Sequence, residues 1–205
     1  MLLYADSRYT SPYAMSVFVG LKEKNIPFEL RTIDLENRAN HSPEYATESL
    51  TGRVPTLVDG NFSLSESSAI TEYLDEAHPG VALYPSDPTA RARARQVQAW
   101  IRSDLLPIRQ ERSTFVVFYQ PSHVPLSQAA EIASRKLFRA SEALLEHNGD
   151  HLFGSWSIAD VDLALMLNRL VLNGDAVPEK LADYARRQWQ RPSVQEWVSL
   201  MRPTL

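Results

Sequence analysis

The chain has 205 residues and a formal net charge of -4, long enough for one large domain or two modest ones and without the positive excess that would point to nucleic acid. It has no cysteine, which excludes a disulfide framework, a cysteine nucleophile and a thiolate metal site. No apolar run approaches the roughly 20 residues of a membrane span, and MLLYADSRY carries no basic segment ahead of an apolar one, so no membrane association and a cytoplasmic location are expected.

MLLYA opens the chain as a short strand, followed by a polar loop from Asp6 to Thr10. In SPYAMSVFVGLKEK, Ala14, Val17, Phe18 and Leu21 recur at i, i+3, i+4 and i+7, which predicts an amphipathic helix with Pro12 in its first position and Ser11 as its N-cap. FELRTIDL alternates as a half-buried strand, and the polar stretch from Glu36 to Gly52 is expected to hold a short helix near Pro43 to Thr47. PTLV, the turn Asp59-Gly60-Asn61 and FSL read as a β-hairpin. SESSAITEYLDEA reads as a helix with Ser65 as N-cap, Glu66 in its first turn, and Ala69, Ile70, Tyr73 and Leu74 facing inward. The order β, α, β, α, β, β, α gives a small mixed sheet: a helix crossing between the first two strands makes them parallel, and the hairpin adds an antiparallel pair.

HPGVALYPSDP is dense in proline and reads as a linker, after which only helical patterns follow. One runs from about Pro88 toward Phe118, with Val97, Trp100, Ile101 and Ile108 on one stripe and a bend expected at Pro107. RARAR at 91–95 lies in it and reads as a solvated face. A second runs from Leu126 to His147 with Ile132, Ala133, Ala140 and Leu144 inward. A third, SIADVDLALMLNRLVL, is apolar nearly all round and should be central. Two shorter ones are expected at 178–190 and 192–200. The histidines are scattered, with His147 and His151 straddling Gly149 in an expected loop, so no metal site is expected.

Three local motifs stand on this frame. VP opens the third strand, SES opens the third helix, and SIAD opens the buried helix. SIAD is structural: Ser157 and Asp160 have the spacing of a capping box, and Trp156 and Val161 that of a hydrophobic staple. Together with RPSV at 192–195, these motifs resemble the soluble glutathione transferase family over the whole chain, and within it the serine-type members of tau- and theta-like kind. The resemblance implies an α/β plus all-α fold: an N-terminal thioredoxin-like βαβαββα domain over 1–78, a linker over 79–87 and an all-helical C-terminal domain over 88–205 that contributes the second-substrate site. It also implies glutathione as co-substrate, a small hydrophobic electrophile or peroxide as second substrate, and a homodimer.

Each residue of the implied site has a plainer reading beside it. Pro55 lacks an N–H and is tolerated at the start of a strand, whereas the resemblance implies a cis bond to Val54 that turns the Val54 backbone toward glutathione. Ser65 and Glu66 are explained by capping alone, but a serine just inside a helix start also makes a seat for a carboxylate. The resemblance gives that seat to Ser67, and gives Glu66 the glutathione ammonium. Arg53 is either a solvated loop arginine or a contact for a glutathione carboxylate, and His41 is a further contact at the glycyl end. A free thiol of pKa ~8.5 is about 3% ionised at pH 7, and lowering it by about two units would give about 75% for roughly 2.7 kcal/mol. A hydroxyl at a helix N-terminus can supply that. TSPY resembles the pattern in which Ser11 is that hydroxyl; Thr10 is its rival, since the theta-like pattern sets the serine two residues before the proline, and Tyr4 is a more distant one. Tyr13, Trp100, Asp104 and Tyr119 are the candidates for the second substrate. The loop SLTGR departs from the NPxGK that many members carry before VP. Two rival functions accompany the transferase reading: a non-catalytic binding or regulatory protein on the same fold, and a reductase that uses bound glutathione on disulfides.

Overall fold

The computed structural model describes residues 1–146 and 149–205. Strand β1 (Leu2–Asp6) leads into helix α1 (Pro12–Glu23), and β2 (Glu29–Ile33) lies parallel to β1. A 3-10 turn (Ala39–His41) and the short helix α2 (Pro43–Glu48) come before the hairpin of β3 (Thr56–Asp59) and β4 (Phe62–Ser65). Helix α3 (Ser67–Ala77) closes the series, and the sheet order is β2-β1-β3-β4. Asp59 pairs with Phe62, so the hairpin loop is Gly60-Asn61, and Gly60 takes φ 60, the sign a type II′ turn requires at that position.

Two expectations for α3 are corrected. Ser65 is not the cap: it ends β4 with its hydroxyl turned into the core, and the N-cap is Glu66 at φ 73, whose side chain makes no capping bond. The buried stripe is Ser67, Ile70, Thr71 and Leu74, which leaves Ala69 exposed. Beyond α3, the linker is tied down by a buried pair. Lys24 Nζ meets Asp75 Oδ1 at 3.5 Å and donates to the Val81 carbonyl at 3.1 Å, while Asp75 accepts the Leu83 N–H at 2.8 Å.

The helical part contains α4 (Pro88–Ser103), α5 (Leu106–Glu111), α6 (Phe115–Phe118), α7 (Gln128–Leu145), α8 (Ile158–Val171), α9 (Glu179–Trp189) and α10 (Pro192–Val198). The bent helix expected up to Phe118 is therefore three. A proline ring collides with the carbonyl four residues back; for Pro107 that is Ser103, where α4 stops, and Pro107 then sits in the first turn of α5 after Leu105 at φ 58. Helix α7 buries Ala130, Ala133, Ser134, Leu137, Ser141 and Leu145, so its inner stripe is rotated from the expected one and Ile132 is 55% exposed. The expected end of this helix at His147 lies outside the described residues.

Helix α8 is buried on all sides, and its start is fixed by Asp160. That carboxylate accepts the Ser157 N–H at 2.8 Å, the Ser157 hydroxyl at 2.9 Å, the Leu152 N–H at 2.8 Å and the Tyr184 hydroxyl at 2.9 Å. Burial pushes the Asp160 carboxyl above its ordinary value and Tyr184 well above its own. Beyond the other end of α8, Asp175 is held by a fork from Arg112 at 2.6 and 2.8 Å.

The chain divides into two compact units, Met1–Leu83 with Pro192–Leu205, and Tyr84–Arg191. Helix α10 falls in the first of these units because it packs on α1. Trp197 is fully buried there with its ring 5.3 Å from Phe18 and 5.8 Å from Tyr9. This extra cover is why α1 is buried continuously from Ala14 to Leu21 rather than along one stripe.

Candidate functional site

Strand register brings the polar motifs of the first unit to one end of its sheet. Tyr4 is the register partner of Thr56, and Thr56 that of Ser65. The exit of β1 toward Ser11, the entry to β3 after Pro55 and the exit of β4 toward Ser67 therefore lie side by side.

At the first of these, Asp6 ends β1 with its carboxylate buried. It accepts the Thr10 N–H and the Thr10 hydroxyl, each at 2.9 Å, and the Ser11 N–H at 2.8 Å. Ser11 caps α1, its Oγ accepting the Ala14 N–H at 3.2 Å. The two rival hydroxyls thus differ in the use of their protons: Thr10 spends its own on Asp6, and Ser11, an acceptor toward its helix, keeps its proton to donate. Asp6 escaped sequence reading. The available signal was an aspartate at the end of an apolar strand, four and five residues ahead of Thr10 and Ser11, the reach of a side chain that ties up loop amides.

At the second, the Val54–Pro55 peptide is cis. The Arg53 carbonyl is held by the Tyr45 hydroxyl at 2.8 Å and the Thr56 hydroxyl at 2.9 Å, while the Arg53 side chain is exposed. The N–H and carbonyl of Val54 take no partner among the described residues, so both stand open. At the third, Ser67 is buried at the first position of α3, and the first intrahelical bond runs from the Ile70 N–H to the Glu66 carbonyl at 2.9 Å. The start of α3 has no side-chain cap, unlike α1, α4 and α7, which Ser11, Asp87 and Ser127 cap. Its first N–H groups, the positive pole of the helix and the exposed Glu66 carboxylate are consequently available to a ligand. Glu66 at φ 73 is in a region that non-glycine residues avoid.

The other predicted residues are distributed as follows. His41 is exposed in the 3-10 turn, next to Asn40, which donates to the Gly52 carbonyl at 2.9 Å and so ties this turn to the loop before Arg53. Tyr4 sets its ring edge-on to Tyr45 at 5.3 Å, and its register partner is Thr56 at the start of β3. Tyr13 is half-buried in the first turn of α1. In the second unit, the Trp100 indole donates to Asp104 at 3.0 Å, and Lys136 also bonds that carboxylate and holds it below its ordinary value. Tyr119 stacks on Phe115 at 5.2 Å with its hydroxyl buried and without a hydrogen-bond partner among the described residues. Among the described residues no group of three or more His, Asp or Glu could hold a metal ion.

Residues 7–82 match the family model of the glutathione S-transferase N-terminal domain, and residues 87–202 that of the glutathione S-transferase C-terminal domain. The chain belongs to the glutathione S-transferase family. Its four-stranded mixed sheet followed by a helical part is the thioredoxin-like transferase fold. A crystal structure of a glutathione transferase homolog from Burkholderia, with bound glutathione, is 48% identical with a TM-score of 0.80, covering 96% of this chain and 95% of that one. Glutathione S-transferase T1 of Arabidopsis thaliana is 32% identical over 208 residues, 96% of this chain and 80% of its own length. Glutathione S-transferase T3 of the same plant is 32% identical over 205 residues; the chain spans only 33% of that protein.

Proposed function

We propose that this transferase binds glutathione at the Ser11 end of the sheet and ionises its thiol there. The peptide would pair with the open N–H and carbonyl of Val54, set its γ-glutamyl carboxylate on Ser67 and the first N–H groups of α3, and its ammonium against Glu66. Arg53, and more distantly His41, would meet the remaining carboxylate. The observation that carries this reading is the start of α3: a buried serine and a strained glutamate stand where α1, α4 and α7 have a capping side chain. Strain of this kind is retained where a fold over-determines it, commonly at ligand sites.

Ser11 is the hydroxyl we assign to the thiolate, because the Thr10 proton is already donated to Asp6. The thiolate would then attack an electrophile or a peroxide. Of the candidates for that substrate, Trp100 and Asp104 satisfy each other, whereas Tyr119 has a buried hydroxyl with nothing to bond, which favours Tyr119. We further assign a homodimer. The groove of about 590 Å³ between α4 and α7 offers it a mixed surface, with Val97, Trp100 and Leu144 apolar and Arg93, Lys136 and Arg139 charged. A cytoplasmic setting fits the cysteine-free chain, and no described helix is long and apolar enough to cross a membrane.

Glutathione titration followed by calorimetry, with conjugation to halogenated aromatics and reduction of peroxides and mixed disulfides assayed alongside, tests the reading. Millimolar glutathione without measurable binding would favour the non-catalytic rival, and turnover of mixed disulfides alone the reductase. Sedimentation at only the 23.2 kDa of one chain would reject the dimer.

A further inference from the structure

Four hydroxyls are buried together behind two arms of the candidate site. Tyr45 and Ser49 come from α2 and its C-cap, Thr56 opens β3 and Ser65 closes β4. None is more than 6% exposed. Thr56 and Ser65 are register partners, so their side chains share one face of the hairpin, and the two α2 residues meet them there. Tyr45 Oη lies 3.0 Å from Thr56 Oγ1, Thr56 Oγ1 2.9 Å from Ser49 Oγ and 3.2 Å from Ser65 Oγ, and Ser49 Oγ 3.0 Å from Ser65 Oγ. The Arg53 carbonyl accepts from the same group, with Tyr45 at 2.8 Å, Thr56 at 2.9 Å and Ser49 at 3.3 Å.

Each hydroxyl has one proton to give and can accept others. Tyr45 can donate to the Arg53 carbonyl while Thr56, Ser49 and Ser65 donate round a ring, or Thr56 can turn to the carbonyl and accept from Tyr45. Every proton finds an acceptor in either arrangement, and bonds chained in this way strengthen one another. Burying hydroxyls is costly unless they are bonded, and valine or phenylalanine would fill the same space without that demand. What the hydroxyls do that apolar groups could not is bond to one another and to a carbonyl. One end of the cluster holds the residue immediately before Val54; the other includes the residue immediately before Glu66.

We propose that this cluster sets the spacing between the Arg53-Val54 arm and the Glu66-Ser67 arm. Tyr45, Ser49, Thr56 and Ser65 are then positioning residues for the glutathione peptide, which they do not touch, and α2 transmits its own placement to both arms. The inference rests on the glutathione reading given above.

Two substitutions at one position test it. Thr56→Val keeps the shape and removes the hydroxyl, and Thr56→Ser keeps the hydroxyl and removes the methyl. Calorimetric titration of the full chain with S-methylglutathione, which has no thiol proton, reads the peptide cradle apart from the thiolate. Thr56→Val and Tyr45→Phe should each weaken binding about three- to tenfold, the size of one neutral hydrogen bond, while Thr56→Ser stays within about twofold of the parent. The pKa of the thiol in the glutathione complex should be the same in every variant, since Ser11 is untouched. Binding by Thr56→Val equal to the parent, or a loss in Thr56→Ser as large as in Thr56→Val, overturns the proposal and leaves the glutathione reading standing. A parent that binds neither glutathione nor its S-methyl form overturns both. Thermal melts accompany the titrations, and if Thr56→Val does not fold, Tyr45→Phe and Ser65→Ala decide by the same criterion.

Discussion

Replacing Ser11 by alanine removes two things that can be measured apart. Its Oγ accepts the Ala14 N–H at 3.2 Å, so the helix loses its cap and the protein about 1 kcal/mol of stability. The second loss is the hydroxyl donor to the thiolate. A hydrogen bond to a charged group contributes about 1.5–3 kcal/mol, which is roughly one to two pKa units on the bound thiol. If the parent holds that thiol near ~6.5, about three-quarters is ionised at pH 7; in Ser11→Ala the fraction falls to between about 25% and 3%. Conjugation at neutral pH should drop by about three- to twenty-five-fold, with most of the loss recovered by about pH 9. Thr10→Val is the control: its hydroxyl is donated to Asp6, so this change should cost about 1 kcal/mol of stability and leave the thiol near its parent pKa. The assay is the ultraviolet absorbance of the thiolate in the glutathione complex, titrated with pH, beside urea unfolding of the same proteins. A thiol pKa that stays put in Ser11→Ala and rises by about a unit or more in Thr10→Val would refute the assignment.

Asp6→Asn replaces an acceptor of three bonds by a group whose amide end faces donors; we expect a loss of about 2 kcal/mol in urea unfolding and a raised thiol pKa, because the Ser11 backbone loses its anchor. Trp197→Ala should cost about 3–5 kcal/mol and lower the melting temperature, since the ring is fully buried against Phe18 and Tyr9; a loss below about 1 kcal/mol would contradict its place in the first unit. Asp104 has a folded pKa below its ordinary 3.8, chiefly through Lys136, so its contribution is complete above that value and fades as pH falls through the lower folded one. With a side chain 39% exposed the contribution is screened to below about 1 kcal/mol, and the stability gap between parent and Asp104→Asn should shrink only in that acid window.

Where the determinants are local, sequence reading succeeded. Gly60 at the hairpin turn, Ser11 and Pro12 at the start of α1, and Ser157 with Asp160 at the start of α8 each act on neighbours within a few residues, and each stands where its chemistry indicates. Ser65 misled for the same reason. It has the composition of a cap, but its hydroxyl is claimed by Ser49 and Thr56, 16 and 9 residues back, and only the strand register reveals them. The positive φ of Glu66 leaves no trace in a sequence, because nothing in a glutamate announces a conformation that the rest of the fold imposes. Ile132 shows a different limit. Periodicity finds that a helix has an apolar side, yet α7 has more apolar positions than its buried stripe uses, and packing alone selects among them. Asp6 had a signal in its spacing from Thr10 and Ser11, but its three bonds form only once the loop folds back to present those donors.

Helix α10 gives the first unit an unusual relation to time. A nascent chain emerges N-terminus first, so Phe18 and Tyr9 are made some 180 residues before the Trp197 ring that covers them. Until then one side of α1 lacks its native partner, and the sheet around it cannot reach its final stability however early its strands pair. Contacts of such long sequence separation slow folding. A chain cut just before Pro192 should therefore lose cooperativity in the half of the protein farthest from the cut in sequence, a defect that limited proteolysis within 1–83 would detect.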